Sequence, residues 1–243
     1  YRIDRSPAFL PQGDGHGHLH KSKGHIVSPF AYGSPDAAKI FQIKECLEEK
    51  NNEKYSHSTK LHSFILNVLT KVEVDINELS AISVSKGPGS YTGLRIGVSA
   101  AKGLCYALDI PLIAVPTLDV LSHQVKIYDG YIVSMLDARR MEVYAAVYDK
   151  AYNTIETTNA KIIDENSFAD LLQKHKLYFN GNAVDKVKAV LQHENAVFFD
   201  TSFPSANEMA KLSYEKYKKS DTEDVAYFEP FYLKEFIALK SSK

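Results

Sequence analysis

Apolar residues after residue 57 recur at the spacing of an α-helix. They occupy the relative positions i, i+3, i+4, i+7 and i+8, namely Leu61, Phe64, Ile65, Val68 and Leu69. This spacing predicts an amphipathic helix that begins near His57, with Ser58 or Thr59 as its N-cap. Packing in the protein's own core is one interpretation of the stripe, and an interface for a partner helix is the alternative.

A buried strand, a glycine-rich turn and a nearly apolar helix follow in the next region. Residues 79–85 read LSAISVS, which is typical of a buried strand, and they lead directly into KGPGSYTG at residues 86–93. The predicted helix then runs through Leu108, and its charges are Arg95 and Lys102. Its glycines and alanines leave small side-chain surfaces, which allow a neighbouring helix to pack closely.

Strand and helix patterns alternate along the rest of the chain. Strands are predicted at residues 112–115, 131–136, 142–148, 177–179 and 197–199. Helices are predicted from Thr117 as a cap and at residues 167–175, 183–192 and 205–219. The alternation favours an α/β fold. Residues 37–51 have the pattern of a polar helix, and the apolar pair Ile26-Val27 gives no convincing strand period.

Composition narrows the class of protein. The chain has 243 residues, enough for one large domain or two lobes of about 120 residues each. With 29 Lys+Arg against 30 Asp+Glu, its net charge is −1, which argues against an autonomous nucleic-acid clamp. No apolar run approaches the roughly 18 residues of a membrane span, and no signal peptide is visible. Two cysteines, Cys46 and Cys105, make no disulfide framework, so we expect a cytoplasmic globular protein.

The glycines fall into two clusters. Five of the 12 lie in residues 13–33 and five more in residues 87–103. The first cluster surrounds His16, His18 and His20, whose imidazoles could bind a metal, although a mobile terminal tract is the simpler interpretation. We expect the glycines of the second cluster to permit a positive φ or a close approach of the backbone to another segment.

The turn of Gly87, Pro88, Gly89, Ser90 and Gly93 could bind an anion, because a helix N-terminus presents free N–H groups. Its spacing is G-x-G-x-x-x-G, however, and no Gly-Lys-[Ser/Thr] follows, so it matches neither common phosphate-binding loop. A tight turn that packs the helix closely on its sheet is the favoured interpretation.

Two contiguous blocks of the chain are distinctive: SKGPGSYTGLRIGVSAAKGL at residues 85–104 and IPLIAVPTL at residues 110–118. They resemble the bacterial TsaB family, also called YeaZ, and a looser resemblance covers about residues 53–239. It implies a two-lobed actin/Hsp70-like (ASKHA) fold with duplicated ribonuclease-H-like lobes. Residues 51–108 would complete lobe one, 109–220 would form lobe two, and 221–243 would pack back on the body.

The start of the chain departs from the family's pattern. Ile3-Asp4-Arg5-Ser6 and Asp14-Gly15 echo the ends of the family's first two strands, but the apolar strand between them is missing. Residues 16–45 look unrelated to the family. Residues 1–50 are therefore predicted to be an atypical segment of lobe one.

The resemblance also implies a function. Family members help to make N6-threonylcarbamoyladenosine beside the anticodon of tRNAs that read codons starting with A. TsaB is the non-catalytic partner of the transferase TsaD, a paralogue, and an ATPase, TsaE, joins them. We therefore expect these two partners, a homodimer when the chain is alone, and contact with tRNA only through the complex. The implied interface lies on the first-lobe helices, at Leu61, Phe64, Ile65, Val68, Leu94, Arg95, Val98, Ala101, Lys102 and Cys105.

The same resemblance argues against catalysis. TsaD binds its metal through a His-x-x-x-His pair, and Thr117 and Leu121 stand at the matching positions here. Leucine cannot ligate a metal, and a threonine hydroxyl is a poor substitute. His57 and His62 are five residues apart and therefore poorly placed as a pair. No metal, cofactor or catalytic residue is expected.

Two other functions remain as alternatives. A metal-dependent peptidase of the glycoprotease type would need a metal site, for which His16, His18 and His20 are the available tract. A sugar or acyl kinase of the same fold would need a glycine-rich adenosine loop in lobe two, where the chain has Gly130 and Gly181. Direct contact with tRNA and a nucleotide at the partner interface are left open by the sequence.

Overall fold

Two five-stranded sheets organise the molecule. A computed structural model describes residues 25–30, 37–42, 45–50, 57–71 and 73–233. The first sheet contains β1 (His25–Phe30), β2 (Ala37–Gln42), β3 (Glu45–Lys50), β4 (Leu79–Gly87) and β5 (Leu112–Pro116). The second contains β6 (Tyr131–Asp137), β7 (Glu142–Tyr148), β8 (Thr154–Ile162), β9 (Leu177–Gly181) and β10 (Ala196–Phe198).

Both sheets have the same strand order. The first runs β3-β2-β1-β4-β5 and the second, read from the other edge, runs β8-β7-β6-β9-β10. In each sheet the first three strands are antiparallel neighbours, and the fourth and fifth lie parallel to the first. This repetition confirms the predicted α/β fold with two related lobes.

Six α-helices are described: α1 (His57–Lys71), α2 (Tyr91–Leu108), α3 (Thr117–Ser122), α4 (Ala169–Leu172), α5 (Val184–Lys188) and α6 (Ala206–Lys218). The predicted helix cap at Ser58 or Thr59 is wrong, because α1 already begins at His57. Thr117 is not a cap either, since Pro116 precedes α3 as its N-cap. Helices α4 and α5 are shorter than their sequence patterns indicated.

The secondary structure of the region 25–50 differs from what its sequence pattern predicts. Where residues 37–51 had the pattern of a polar helix, β2 and β3 form an antiparallel hairpin in which Ile40 pairs with Leu47. The pair Ile26-Val27 lies in β1, which runs parallel to β4. Pairing with β4 is a contact between distant parts of the chain, and such context overrides a weak local pattern. The region 25–50 thus supplies the first three strands of lobe one; residues 3–20 lie outside the described residues.

The lobes also divide at a different place. Strand β5 lies beyond the predicted boundary at residue 108, yet it is the fifth strand of the first sheet. Helix α6 contacts β1, β2 and β5 although it follows the second sheet in the chain. The boundary at residues 108 and 109 is therefore wrong for β5. Strand β8, which the sequence analysis missed, is an edge strand with many polar and exposed residues.

The core is built in layers. Strand β4 alternates its side chains: Ile82 and Val84 pack with α1 and α2, whereas Ala81 packs with α3, α6 and the second sheet. A third apolar cluster joins the other face of the second sheet to α4 and α5. Because α3 and α6 are packed in the layer between the sheets, they join the two lobes through one continuous core.

Candidate functional site

The glycine-rich turn brings the C-terminal segment (residues 223–232) close to lobe one. Gly87 ends β4 with φ +110°, and a Cβ atom there would lie 2.6 Å from the carbonyl oxygen of Phe231. The backbone N–H of Phe231 donates to the carbonyl oxygen of Lys86 at 2.6 Å. A side chain at Gly87 would therefore push away the C-terminal segment, which is the close approach that this glycine permits.

Ser90 begins α2 and satisfies part of its N-terminus. Its hydroxyl accepts a hydrogen bond from the backbone N–H of Gly93 at 3.3 Å, as expected of an N-cap. Leu94 and Val98 then pack inward beneath the turn. This geometry favours the tight-turn interpretation of the motif over an anion-binding loop.

An open groove of about 340 Å³ lies between α2 and the C-terminal segment. Its α2 side includes Tyr91, Arg95, Ser99 and Lys102, and its other wall is formed by residues 228–230 and 232. The guanidinium of Arg95 donates to the Tyr91 hydroxyl at 2.6 Å and lies 5.3 Å from the centre of that ring. Polar and aromatic groups are thus held side by side at the surface.

Lys102 fixes the C-terminal wall of this groove. Its ammonium donates to the carbonyl oxygens of Ala226 at 3.0 Å and of Phe228 at 2.9 Å. The ring of Tyr232 lies 5.0 Å from that of Tyr91, and burial raises the pKa of the Tyr232 hydroxyl. At the start of the segment, the N–H of Glu223 donates to the carbonyl oxygen of Leu112 at 2.8 Å, which ties the segment to β5.

The two positions that the sequence resemblance aligns with a metal-binding His pair are buried and used in packing. The Thr117 hydroxyl lies 2.6 Å from that of Ser85, and Leu121 is fully buried between the lobes. Within the described part of the chain, no group of three or more His, Cys, Asp and Glu side chains could hold a metal. The tract of His16, His18 and His20 lies outside the described residues.

Asp119 lies between these two positions on α3, and its side chain is half-buried. One of its oxygens accepts a hydrogen bond from the Tyr148 hydroxyl at 2.7 Å, which links α3 to β7 in the second sheet. Burial raises the pKa of the Asp119 carboxyl, although the Tyr148 hydrogen bond and the charges of His123, Lys86 and Lys216 oppose this. The arrangement joins the lobes.

Comparisons with known proteins show the family to which the chain belongs. The family model "TsaD: tRNA N6-adenosine threonylcarbamoyltransferase" matches residues 51–239. The "tRNA threonylcarbamoyladenosine biosynthesis protein TsaB" of Escherichia coli is 26% identical over 192 residues, 76% of this chain and 83% of that protein. The chain belongs to the TsaB (YeaZ) family. The protein of the same name from Bacillus subtilis is 41% identical over 103 residues, 42% of this chain.

The match to the Bacillus subtilis TsaB protein spans 45% of that protein's length. The crystal structure described as "YeaZ from Pseudomonas aeruginosa" superposes with a TM-score of 0.75 at 19% identity, covering 86% of this chain and all of that one. A second Pseudomonas aeruginosa structure, described as similar to the peptidase YEAZ, gives a TM-score of 0.77 at 18% identity. These structures show that the TsaB fold extends over both lobes.

Most of the predicted TsaB interface is core. Seven of the ten residues have less than a twentieth of their surface exposed: Leu61, Ile65, Val68, Leu94, Val98, Ala101 and Cys105. Their side chains face the protein's own sheet and helices, although Val98 also lines the floor of the groove beside α2. Burial raises the pKa of the Cys105 thiol to about 12, so this thiol is unreactive. Phe64, Arg95 and Lys102 keep surface exposure.

The exposed side of α2, which lies opposite its buried stripe, was not recognised from the sequence as a continuous surface. Its outer face is defined by five exposed residues at helical spacing: Thr92, Arg95, Ser99, Gly103 and Tyr106. Tyr106 is 86% exposed, and a Cβ atom at Gly103 would meet no other atom within 4 Å. Continuing the helical period from Arg95 would have found this face, whereas the apolar stripe marks the buried one.

No described helix is both long and apolar enough to cross a lipid bilayer.

Proposed function

We propose that this chain is a non-catalytic scaffold or activating subunit in the formation of N6-threonylcarbamoyladenosine on tRNA. It would act in the cytoplasm by binding a TsaD-like transferase, together with a TsaE-like ATPase. The observation that carries the proposal is the outer face of α2, which exposes small, polar and aromatic groups on a helix whose other side is buried. The family membership and the names of its relatives supply the pathway.

The non-catalytic role is supported by what Thr117 and Leu121 do instead. Both side chains are buried in the layer between the lobes, and Thr117 is committed to the Ser85 hydroxyl. A metal at these positions would have to replace packing contacts, and a leucine has no atom to offer it. The peptidase alternative has no further support in the described residues.

The docking surface of the proposal combines the outer face of α2 with the groove beside it. Gly103 lets another backbone approach the helix closely, while Arg95 supplies a charge and Tyr106 a large aromatic surface. Aromatic and arginine side chains are enriched in protein–protein interfaces. The same surface would pair two copies of the chain when the transferase is absent.

Replacement of Gly103 tests this surface without disturbing the core. Gly103→Arg places a long charged side chain in open space, so the free chain should remain folded. We expect calorimetric affinity for a TsaD-like transferase to fall at least tenfold and self-association in the ultracentrifuge to be lost. Gly103→Ala is the matched control, since it adds one methyl group and stabilises the helix by about 1 kcal/mol.

A reconstituted reaction tests the function itself. Threonylcarbamoyl transfer to tRNA by the transferase and the ATPase should require this chain, and the Gly103→Arg variant should fail to support it. Transfer that proceeds equally well without the chain would contradict the scaffold role. Normal affinity and transfer with Gly103→Arg would contradict the docking surface while leaving the role in place.

A further inference from the structure

The turn between β6 and β7 holds two adjacent arginines in a strained backbone conformation. Arg139 has φ +69° and Arg140 φ +51°, both in the left-handed region that favours glycine and asparagine. Each such residue costs of the order of 1–2 kcal/mol relative to its relaxed conformation. Strain of this kind persists where the surrounding structure enforces it, and it is concentrated at functional sites.

The surrounding structure does enforce this turn. The ammonium of Lys186 on α5 donates to a carboxylate oxygen of Asp137 at 2.5 Å and to the carbonyl oxygens of Arg140 at 2.9 Å and Glu142 at 2.7 Å. The same Asp137 oxygen accepts from the N–H of Arg139 at 2.9 Å. Lys186 thereby uses its three donors beneath the turn and neutralises the charge of Asp137.

The backbone of Asp137 is fixed from another side. Its N–H donates to the side-chain oxygen of Asn182 at 2.7 Å, just beyond the end of β9. Three elements, β6, α5 and the residue after β9, thus hold one short turn. The two arginine side chains themselves are exposed, and neither makes a hydrogen bond or an ion pair within the described residues.

We infer that Arg139 and Arg140 form a contact for phosphate groups of the tRNA backbone in the assembled complex. The inference rests on the proposed function, which brings tRNA to this chain. A guanidinium binds a phosphate through two parallel hydrogen bonds, and a turn whose backbone is already fixed adds no backbone-ordering cost to binding. Such contacts position RNA without reading its sequence, which suits a chain whose net charge of −1 provides no general attraction to RNA.

Removal of both side chains tests the inference, because it should affect stability and binding in opposite directions. In the Arg139→Gly, Arg140→Gly variant, the turn loses its strain, so the melting temperature should rise by roughly 2–4 °C. The affinity of the reconstituted complex for an unmodified tRNA transcript should fall about tenfold or more. The slope of log affinity against log salt should become shallower by about 0.7–0.9 for each phosphate group that the variant no longer binds.

Two further variants separate a specific contact from a general loss of charge. Lys150→Gln with Lys211→Gln removes two exposed positive charges elsewhere, and affinity should stay within about twofold of the wild type. Arg139→Lys with Arg140→Lys keeps the charge and the strain but loses the paired hydrogen bonds, so it should restore part of the affinity.

The outcomes distinguish the inference from the proposed function. Unchanged tRNA affinity of the double-glycine variant in an intact complex would overturn the inference but not the scaffold role. An equal loss of tRNA affinity in the variant with Lys150→Gln and Lys211→Gln would overturn it as well. So would a complex in which Arg139 and Arg140 are needed for binding of polyglutamate, used as an acidic protein probe, and not for binding of tRNA. If the wild-type chain forms no complex with the transferase, the proposed function fails and the inference fails with it.

Discussion

The ends of the fourth strands show how the two lobes use one plan differently. Strand β4 ends at Gly87 and strand β9 at Gly181, and both glycines have φ +110°. A Cβ atom at Gly87 would meet the carbonyl oxygen of Phe231 in the C-terminal segment, whereas one at Gly181 would meet that of Met135 in the neighbouring strand β6. The repeated conformation belongs to the duplicated fold, and its neighbours differ because each lobe covers the position with its own element.

The helices that follow these glycines extend the comparison. In lobe one the 18 residues of α2 display an outer face and carry Lys102, which holds two carbonyl groups of the C-terminal segment. In lobe two the five residues of α5 carry Lys186, which holds two carbonyl groups and a carboxylate of the arginine turn. Each lysine fixes the backbone beside a surface to which we assign a role, one for protein and one for RNA.

Gly181→Ala should lower the free energy of unfolding more than any other substitution that we consider. Its Cβ atom would lie 1.9 Å from the backbone oxygen of Met135, inside a paired sheet that cannot move locally. The left-handed backbone adds further strain, so we expect a loss of about 4 kcal/mol or more in the free energy of unfolding. Urea denaturation followed by circular dichroism measures this, and a loss below about 1 kcal/mol would mean that the sheet yields.

Gly87→Ala should cost less, about 2–3 kcal/mol, although the backbone conformation is the same. Its contact, the carbonyl oxygen of Phe231, belongs to a surface segment that can move away from β4. We therefore expect a loosened segment as well, visible as faster amide exchange at Phe231 and Glu223, while β9 keeps its protection. Equal losses for the two glycine variants would remove the distinction between the lobes.

The sequence predicted one lobe-one feature in detail, the strand, turn and helix of residues 79–108, because glycine, proline and a capping serine act on neighbouring residues. It could not predict β1, because the pairing of β1 with β4 joins residues some 50 positions apart, nor the strands β2 and β3 that extend the sheet from β1. It also did not indicate that Arg139 and Arg140 would have positive φ. Lys186, which donates to the carbonyl oxygen of Arg140 in this turn, lies 46 residues beyond it in the chain. Likewise, apolar periodicity identified the buried stripe and not the face that remains exposed.

The two lysines allow a smaller and more direct test of the comparison. Lys186→Met should lower the free energy of unfolding by about 2 kcal/mol, because it removes three hydrogen bonds and the ion pair with Asp137. Lys102→Met should lower the free energy of unfolding by about 1 kcal/mol, since the carbonyl groups of Ala226 and Phe228 can bond to water instead.

If the surfaces act as proposed, Lys102→Met weakens transferase binding and Lys186→Met weakens tRNA binding. The reverse pattern in calorimetry and filter binding would contradict both assignments.

Replacement of Asp119 should change the free energy of unfolding least, because Asp119 joins the lobes and belongs to neither of the two proposed binding surfaces. Burial raises the pKa of its carboxyl above the ordinary value of 3.8, so the folded state binds this proton more tightly than the unfolded state does. Its contribution to stability is complete below pH 3.8 and declines as the pH rises through the raised pKa. Asp119→Asn keeps an oxygen that can accept from Tyr148 but cannot ionise. The variant should therefore lose this decline in urea denaturation measured from about pH 3.5 to 7, whereas an unchanged pH profile would show that another group causes it.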